Sequence, residues 1–117
     1  MKHFQAKEFK CHCGCGTKDM RNTTLAMLEK AREIAGIPFI INSGRRCESH
    51  NKIVGGVKNS AHTRGYAVDI CAITGGARFT IIQALLQAGF KRIGVYSNFI
   101  HVDNDPKKPS GVMWYGK

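Results

Sequence analysis

The chain has 117 residues, 43% hydrophobic and 22% charged, which is one ordinary domain's worth with a single modest core. No apolar run approaches the roughly 20 residues of a membrane-spanning helix. Five cysteines, an odd number, behind a first segment (MKHFQAKEFK) without the apolar stretch of a secretory signal, argue against a disulfide scaffold and for a protein that starts in a cytoplasm.

The formal net charge of +10, from 18 Lys+Arg against 8 Asp+Glu, draws polyanions. The basic residues are dispersed, however, with pairs only at Arg45-Arg46 and Lys107-Lys108 and no interleaved aromatics. No stable nucleic-acid partner is therefore expected, and the chain is expected to act as a monomer.

In chain order, residues 1–22 read as an irregular, Cys/Gly-rich arm on a single domain spanning 1–117. Residues 23–35 read as a helix, with Leu25, Leu28, Ala31, Arg32 and Ala35 at helical spacing. Asn22 or Thr23 would cap it, and Gly36 and Pro38 would stop it. A short β-rich run covers 38–42, one or two helical turns cover 48–54, and 55–65 is a loop. Residues 66–72 read as a strand. Residues 77–88 form the strongest helical pattern, with Ile81, Ile82, Leu85, Leu86 and Ala88 on one side and Gly89 as its cap. Strands follow at 92–96 and 99–103 around a tight turn at Ser97-Asn98, and 112–115 reads as an edge strand. Trp114 and Tyr115 belong to a core edge or, alternatively, line a groove. This mixed order predicts an α+β fold with a small antiparallel sheet.

The period of two along strands places Val68, Ile70, Ile100 and Val102 toward the core and Asp69, Cys71, His101 and Asp103 on the opposite face. If the strands are neighbours, Asp69 and His101 converge, and His62 can reach them from the preceding loop. Two imidazoles and a carboxylate around an open position form the pattern of catalytic zinc. Spacing alone does not separate that reading from a surface His/Asp pair.

The motifs go further. Ser43-Gly44-Arg45-Arg46, His50-Asn51, Gly55-Gly56, Ser60-Ala61-His62-Thr63-Arg64-Gly65-Tyr66-Ala67-Val68-Asp69 and His101-Val102-Asp103 occur in one order over residues 40–103. Together they resemble the zinc D-Ala-D-Ala carboxypeptidases, a peptidase M15-like group that includes phage endolysin peptidases. The resemblance implies the small α+β fold of Hedgehog/D-Ala-D-Ala peptidases, with His62, Asp69 and His101 as ligands of Zn2+. It also implies hydrolysis of peptidoglycan stem peptides, as a carboxypeptidase or an endopeptidase. A chain of this size without a signal peptide is similar to phage lysis enzymes, which wait in the cytoplasm until released to the cell wall.

Arg46 matches the arginine that binds the substrate's carboxylate, a task suited to a guanidinium fork. Ser60 is placed to bond substrate or loop backbone, and His50 reads as a supporting residue. Many relatives carry an acidic general base three positions before the last histidine. Here that position is Asn98, whose amide cannot take the proton. Asp103 is the nearest carboxylate, as base or, by preference, as the partner that fixes an imidazole tautomer. The Asn98 departure favours a second reading, a weak or inactive cell-wall-binding or virion structural domain. Cys11-His12-Cys13-Gly14-Cys15 is too tightly spaced to hold a metal without a further ligand such as Cys47 or Cys71; free thiols are the default expectation.

Overall fold

Three helices and five short strands organise the described residues. The computed structural model describes residues 2–116; Met1 and Lys117, the ends of the expected domain, lie outside the described residues. A 3-10 turn at Ala6–Phe9 leads to α1 (Asn22–Ala35), β1 (Ile41–Ser43) and α2 (Glu48–Ile53). A second 3-10 turn at Ala61–Arg64 precedes β2 (Ala67–Cys71), α3 (Gly75–Gln87), β3 (Arg92–Val95), β4 (Phe99–Asp103) and β5 (Val112–Tyr115). The α+β expectation holds.

The boundaries shift for local reasons. The run at 38–42 becomes a strand only from Ile41, although the Ile40 carbonyl already accepts from the Cys71 N–H at 2.8 Å; Pro38, with no N–H to give, lies outside the ladder. α3 starts two residues before its apolar pattern, because the Thr74 hydroxyl accepts the Ala77 N–H at 3.1 Å. The loop at 55–65 contains a 3-10 turn whose first N–H groups are met by Ser60: its Oγ accepts from His62 N at 3.2 Å.

The sheet order is β1-β2-β4-β3-β5. It is mixed rather than wholly antiparallel, since β5 runs parallel to β3. After β4 the chain turns back through 104–111, so its next strand travels in the direction of β3 and meets that strand's free edge. No helix among the described residues is long and apolar enough to cross a membrane.

One apolar cluster joins the helices to one face of the sheet. Leu28 and Ala31 of α1 and Ile81 and Leu85 of α3 meet Val68, Ile70, Ile100 and Val102 of the central strands. Each large side chain fully withdrawn from water contributes about 1.5–3 kcal/mol before entropy is charged. The arm joins this cluster: Phe4 and Phe9 are buried, with ring centroids 5.6 Å apart. Leu86, expected on the buried side of α3, is exposed, and Ala84 takes its place. The other face of the sheet carries Asp69, His101 and Asp103 together with Phe99 and Trp114.

Candidate metal centre

The register of the sheet sets one row of residues on that second face. Asp69 of β2 pairs directly with His101 of β4, and Ser43 of β1 pairs with Asp69 on the other side. Gly94 of β3 is opposite His101, and Trp114 of β5 is opposite Gly94. Directly paired residues carry their Cβ atoms about 4.5–5.5 Å apart, so Asp69 and His101 touch by register alone. A Cβ on Gly94 would come within 2.6 Å of Trp114 Nε1. Its absence lets the indole lie over the strand, with its ring centre 5.5 Å from that of His101. Trp114 therefore forms part of a cleft wall instead of the core edge first expected, and Tyr115 is exposed.

His62 arrives from the 3-10 turn and is 3% exposed. Its Nδ1 lies 2.8 Å from the Gly44 carbonyl oxygen. A carbonyl only accepts, so Nδ1 carries the proton and Nε2 turns a lone pair toward Asp69 Oδ1, 3.3 Å away. His101 repeats the scheme with its nitrogens exchanged: Nε2 donates to Asp103 Oδ2 at 2.7 Å, and Nδ1 faces Asp69 Oδ1 at 3.0 Å. One ligand atom from each of His62, Asp69 and His101 lies within 4.8 Å of the others.

This donor set suits zinc. Bonds of about 2.0–2.1 Å to nitrogen and oxygen imply a tetrahedral edge of roughly 3.3 Å, close to the separations around Asp69 Oδ1. Lone pairs turned toward a carboxylate favour a positive charge between them, a metal ion or a proton. Burial pushes the Asp69 carboxyl upward, but the imidazoles of His101 and His62, when a proton rather than a metal lies between them and the carboxylate, outweigh it and hold the group well below the ordinary carboxylate range. Burial would also lower the proton affinity of His101, yet its bonds to Asp103 and Asp69 raise it. The field that draws a proton there is the one that would draw a divalent ion.

Asp103 sits behind His101, 1% exposed, with both oxygens engaged. Oδ2 holds His101; Oδ1 accepts from Arg92 Nε at 2.8 Å and from the Asp105 N–H at 3.1 Å. Burial raises its carboxyl and these partners, His101 foremost, bring it below the ordinary value.

Arg46 approaches from the other side, with Nη2 3.8 Å from Asp69 Oδ2. Its Nη1 donates to Asn51 Oδ1 at 2.7 Å, and Asn51 Nδ2 donates to the Val57 carbonyl at 2.9 Å. Any side chain at Gly56 would collide with Asn51 Oδ1 and the Arg46 guanidinium. The Arg46, Asn51 and Gly56 motif positions thus make one physical unit. Burial lowers the Arg46 pKa from its ordinary value while Asp69 opposes the shift, and the guanidinium stays charged.

Arg46, Gly56, His62, Asp69, Arg92, His101, Asp103 and Trp114 line a cleft of about 520 Å³ together with Ser60, Tyr96, Phe99 and Lys108. Ser60 Oγ is occupied by the His62 N–H. Asn98 lies exposed in the β3–β4 turn outside the lining, its carbonyl accepting from Ala72 N at 3.0 Å. His50 sits on α2 stacked on His12, 6.4 Å between ring centres, and does not line the cleft. Sequence reasoning missed Arg92 and the Tyr96–Phe99 stack, whose centroids are 4.5 Å apart. The alternation within β3 and β4 carries no hint of them, because both follow from strand pairing.

Compared with known proteins, residues 2–103 match the sequence model of a family described as peptidase M15. No curated protein matches the chain.

Proposed function

Because this chain belongs to the peptidase M15 family, and so to the metallopeptidases, we propose that it is a zinc-dependent peptidase acting on the stem peptides of peptidoglycan. The observation that carries this reading is the cleft itself: a three-ligand cluster with a half-buried arginine 3.8 Å from the ligand carboxylate.

His62, Asp69 and His101 would hold the ion. When bound, zinc supplies Lewis acidity to a carbonyl and to water. The remaining chemistry belongs to the chain. Gly44 and Asp103 each keep one imidazole proton on the far nitrogen, so the near nitrogen stays available. Arg46, held by Asn51, forks the carboxylate of the substrate and fixes the distance from that carboxylate to the bond cut. Trp114, Tyr96 and Phe99 make an aromatic wall that excludes water from one side. Ser60 supports the His62 turn and stands within the cleft for a substrate amide. A phage lysis role fits this reading: the enzyme would reach the wall from the cytoplasm once the membrane opens.

Asn98 favours a second reading. It offers no carboxylate, and both oxygens of Asp103 are committed, so proton removal from water lacks a dedicated acceptor. A wall-binding or virion domain that keeps the metal and loses turnover follows from that gap.

One experiment separates the two. Purified peptidoglycan is incubated with the protein, with and without a chelator, and soluble fragments are analysed by mass spectrometry. Chelator-sensitive release of peptide fragments, abolished by His62→Ala, is expected. Zinc and wall binding with no released fragment would establish the second reading instead.

A further inference from the structure

The cysteines of the arm do not stand alone. Cys11, Cys13 and Cys15 meet Cys47, the residue that caps the N-terminus of α2, and one sulfur from each lies within 4.8 Å of the others. Cys11 and Cys13 Sγ are 3.5 Å apart, Cys11 and Cys47 3.8 Å, and Cys13 and Cys47 3.6 Å. A disulfide would need about 2.05 Å, and all five cysteines of the chain are free thiols. Cys71, the other candidate, is not in the group.

Zinc–sulfur bonds of about 2.3 Å put the sulfurs of a tetrahedral four-thiolate site about 3.8 Å apart. The three separations among Cys11, Cys13 and Cys47 are close to that spacing. Four thiols from two segments 36 positions apart are drawn together although nothing apolar requires it: Cys13 and Cys15 are exposed. Backbone donors already point at the sulfurs, as they do around ligating thiolates: Cys47 N–H to Cys11 Sγ and His50 N–H to Cys47 Sγ, both 3.4 Å. A zinc ion held by four thiolates carries a net charge of minus two, and Lys10, Arg45 and Arg46 adjoin the ligands in sequence.

We propose that Cys11, Cys13, Cys15 and Cys47 bind a second zinc ion, structural rather than catalytic, that fastens the N-terminal arm to the Arg46 segment. Binding displaces one proton from each thiol and leaves no open position. Its mechanical effect follows from position. Cys47 directly follows Arg46, and Arg45 N–H already bonds the Phe9 carbonyl of the arm at 2.9 Å. The ion would close a bracket around the backbone of the Arg46 segment.

The test is metal content and spectroscopy on the full chain, purified reduced in the presence of zinc. Elemental analysis is expected to give two zinc ions per chain, falling to one in Cys13→Ser/Cys15→Ser. Those two exposed positions spare the core, and circular dichroism checks that the variant folds. His62→Ala is expected to lose the other ion and keep this one. Cobalt substitution of His62→Ala should show an intense thiolate-to-cobalt charge-transfer band, which the cleft ligands cannot produce. If the cleft binds no metal, the wild-type chain would hold one ion with that band, so failure of the peptidase reading is distinguishable. The proposal is overturned if the folded double-serine variant retains the wild-type zinc content. It is also overturned if reduced His62→Ala takes up cobalt without a thiolate band, or takes up none.

Discussion

The His62–Asp69–His101 cluster stands on paired strands and a capped turn, whereas the four-cysteine cluster stands on an arm loop and one helix cap. In the first, each imidazole is pinned from behind by a carbonyl or a carboxylate, and the register of β2 with β4 fixes the rest. In the second, backbone N–H groups reach Cys11 and Cys47, Cys15 Sγ meets the Thr17 hydroxyl at 3.2 Å, and two of the four thiols face solvent. The contrast separates a site built before its ion arrives from one that its ion must help to build. In the first, metal affinity is set by the scaffold; in the second, metal binding is itself part of the folding free energy.

The comparison breaks first at Phe9. If the arm depended on metal alone, truncating its apolar anchor would matter little. Phe9→Ala is instead expected to destabilise the protein by about 3–5 kcal/mol, read as a lower urea midpoint with zinc present, because the ring is buried in the shared core. Asp103→Asn sharpens the other side. It should weaken zinc affinity in the cleft about 10- to 100-fold by competition titration and leave thermal unfolding of the arm unaltered. Arg46→Lys keeps the charge but loses the fork and the Asn51 contact. On a released peptide substrate we expect KM to rise roughly tenfold, the worth of one or two charged hydrogen bonds, with a smaller change in kcat.

The smallest effect concerns the start of the arm. His3 Nε2 lies 2.6 Å from Glu33, and hydrogen bonds from His3 and Lys2 hold the Glu33 carboxyl below its ordinary value. A depressed carboxyl stabilises above the unfolded value, roughly pH 4.3, and loses that contribution as pH falls through the folded one. Carbon-detected NMR should find Glu33 titrating below the ordinary glutamate value, and His3→Ala should move it back. The groups are solvent-exposed, so stability should hardly change.

Much of this was legible beforehand. Alternation sorted Val68, Ile70, Ile100 and Val102 from Asp69 and His101, and the strands show that division. What alternation cannot supply is register between segments 32 residues apart, so the direct Asp69–His101 pairing and the row through Gly94 to Trp114 had to be seen. Val112-Met113-Trp114-Tyr115 has no polar-apolar period, and nothing in it announces a parallel partner. The Arg92–Asp103 ion pair depends on the β3–β4 register. Cys47 is separated from the other thiols by a helix and a strand, so its role as their neighbour is purely tertiary. Asn98 was legible both as a departure and as part of the Ser97-Asn98 turn; its position outside the cleft lining was not.

β5 has a ladder on one side only, and its partner is β3 rather than either ligand strand. Edge strands surrender their amide protection at lower free energy than central ones. Hydrogen exchange should therefore open Val112–Tyr115 well before β2 and β4. The consequence is a cleft whose floor keeps still while one wall breathes, so Trp114 can admit and release a bulky chain without disturbing the residues beneath it.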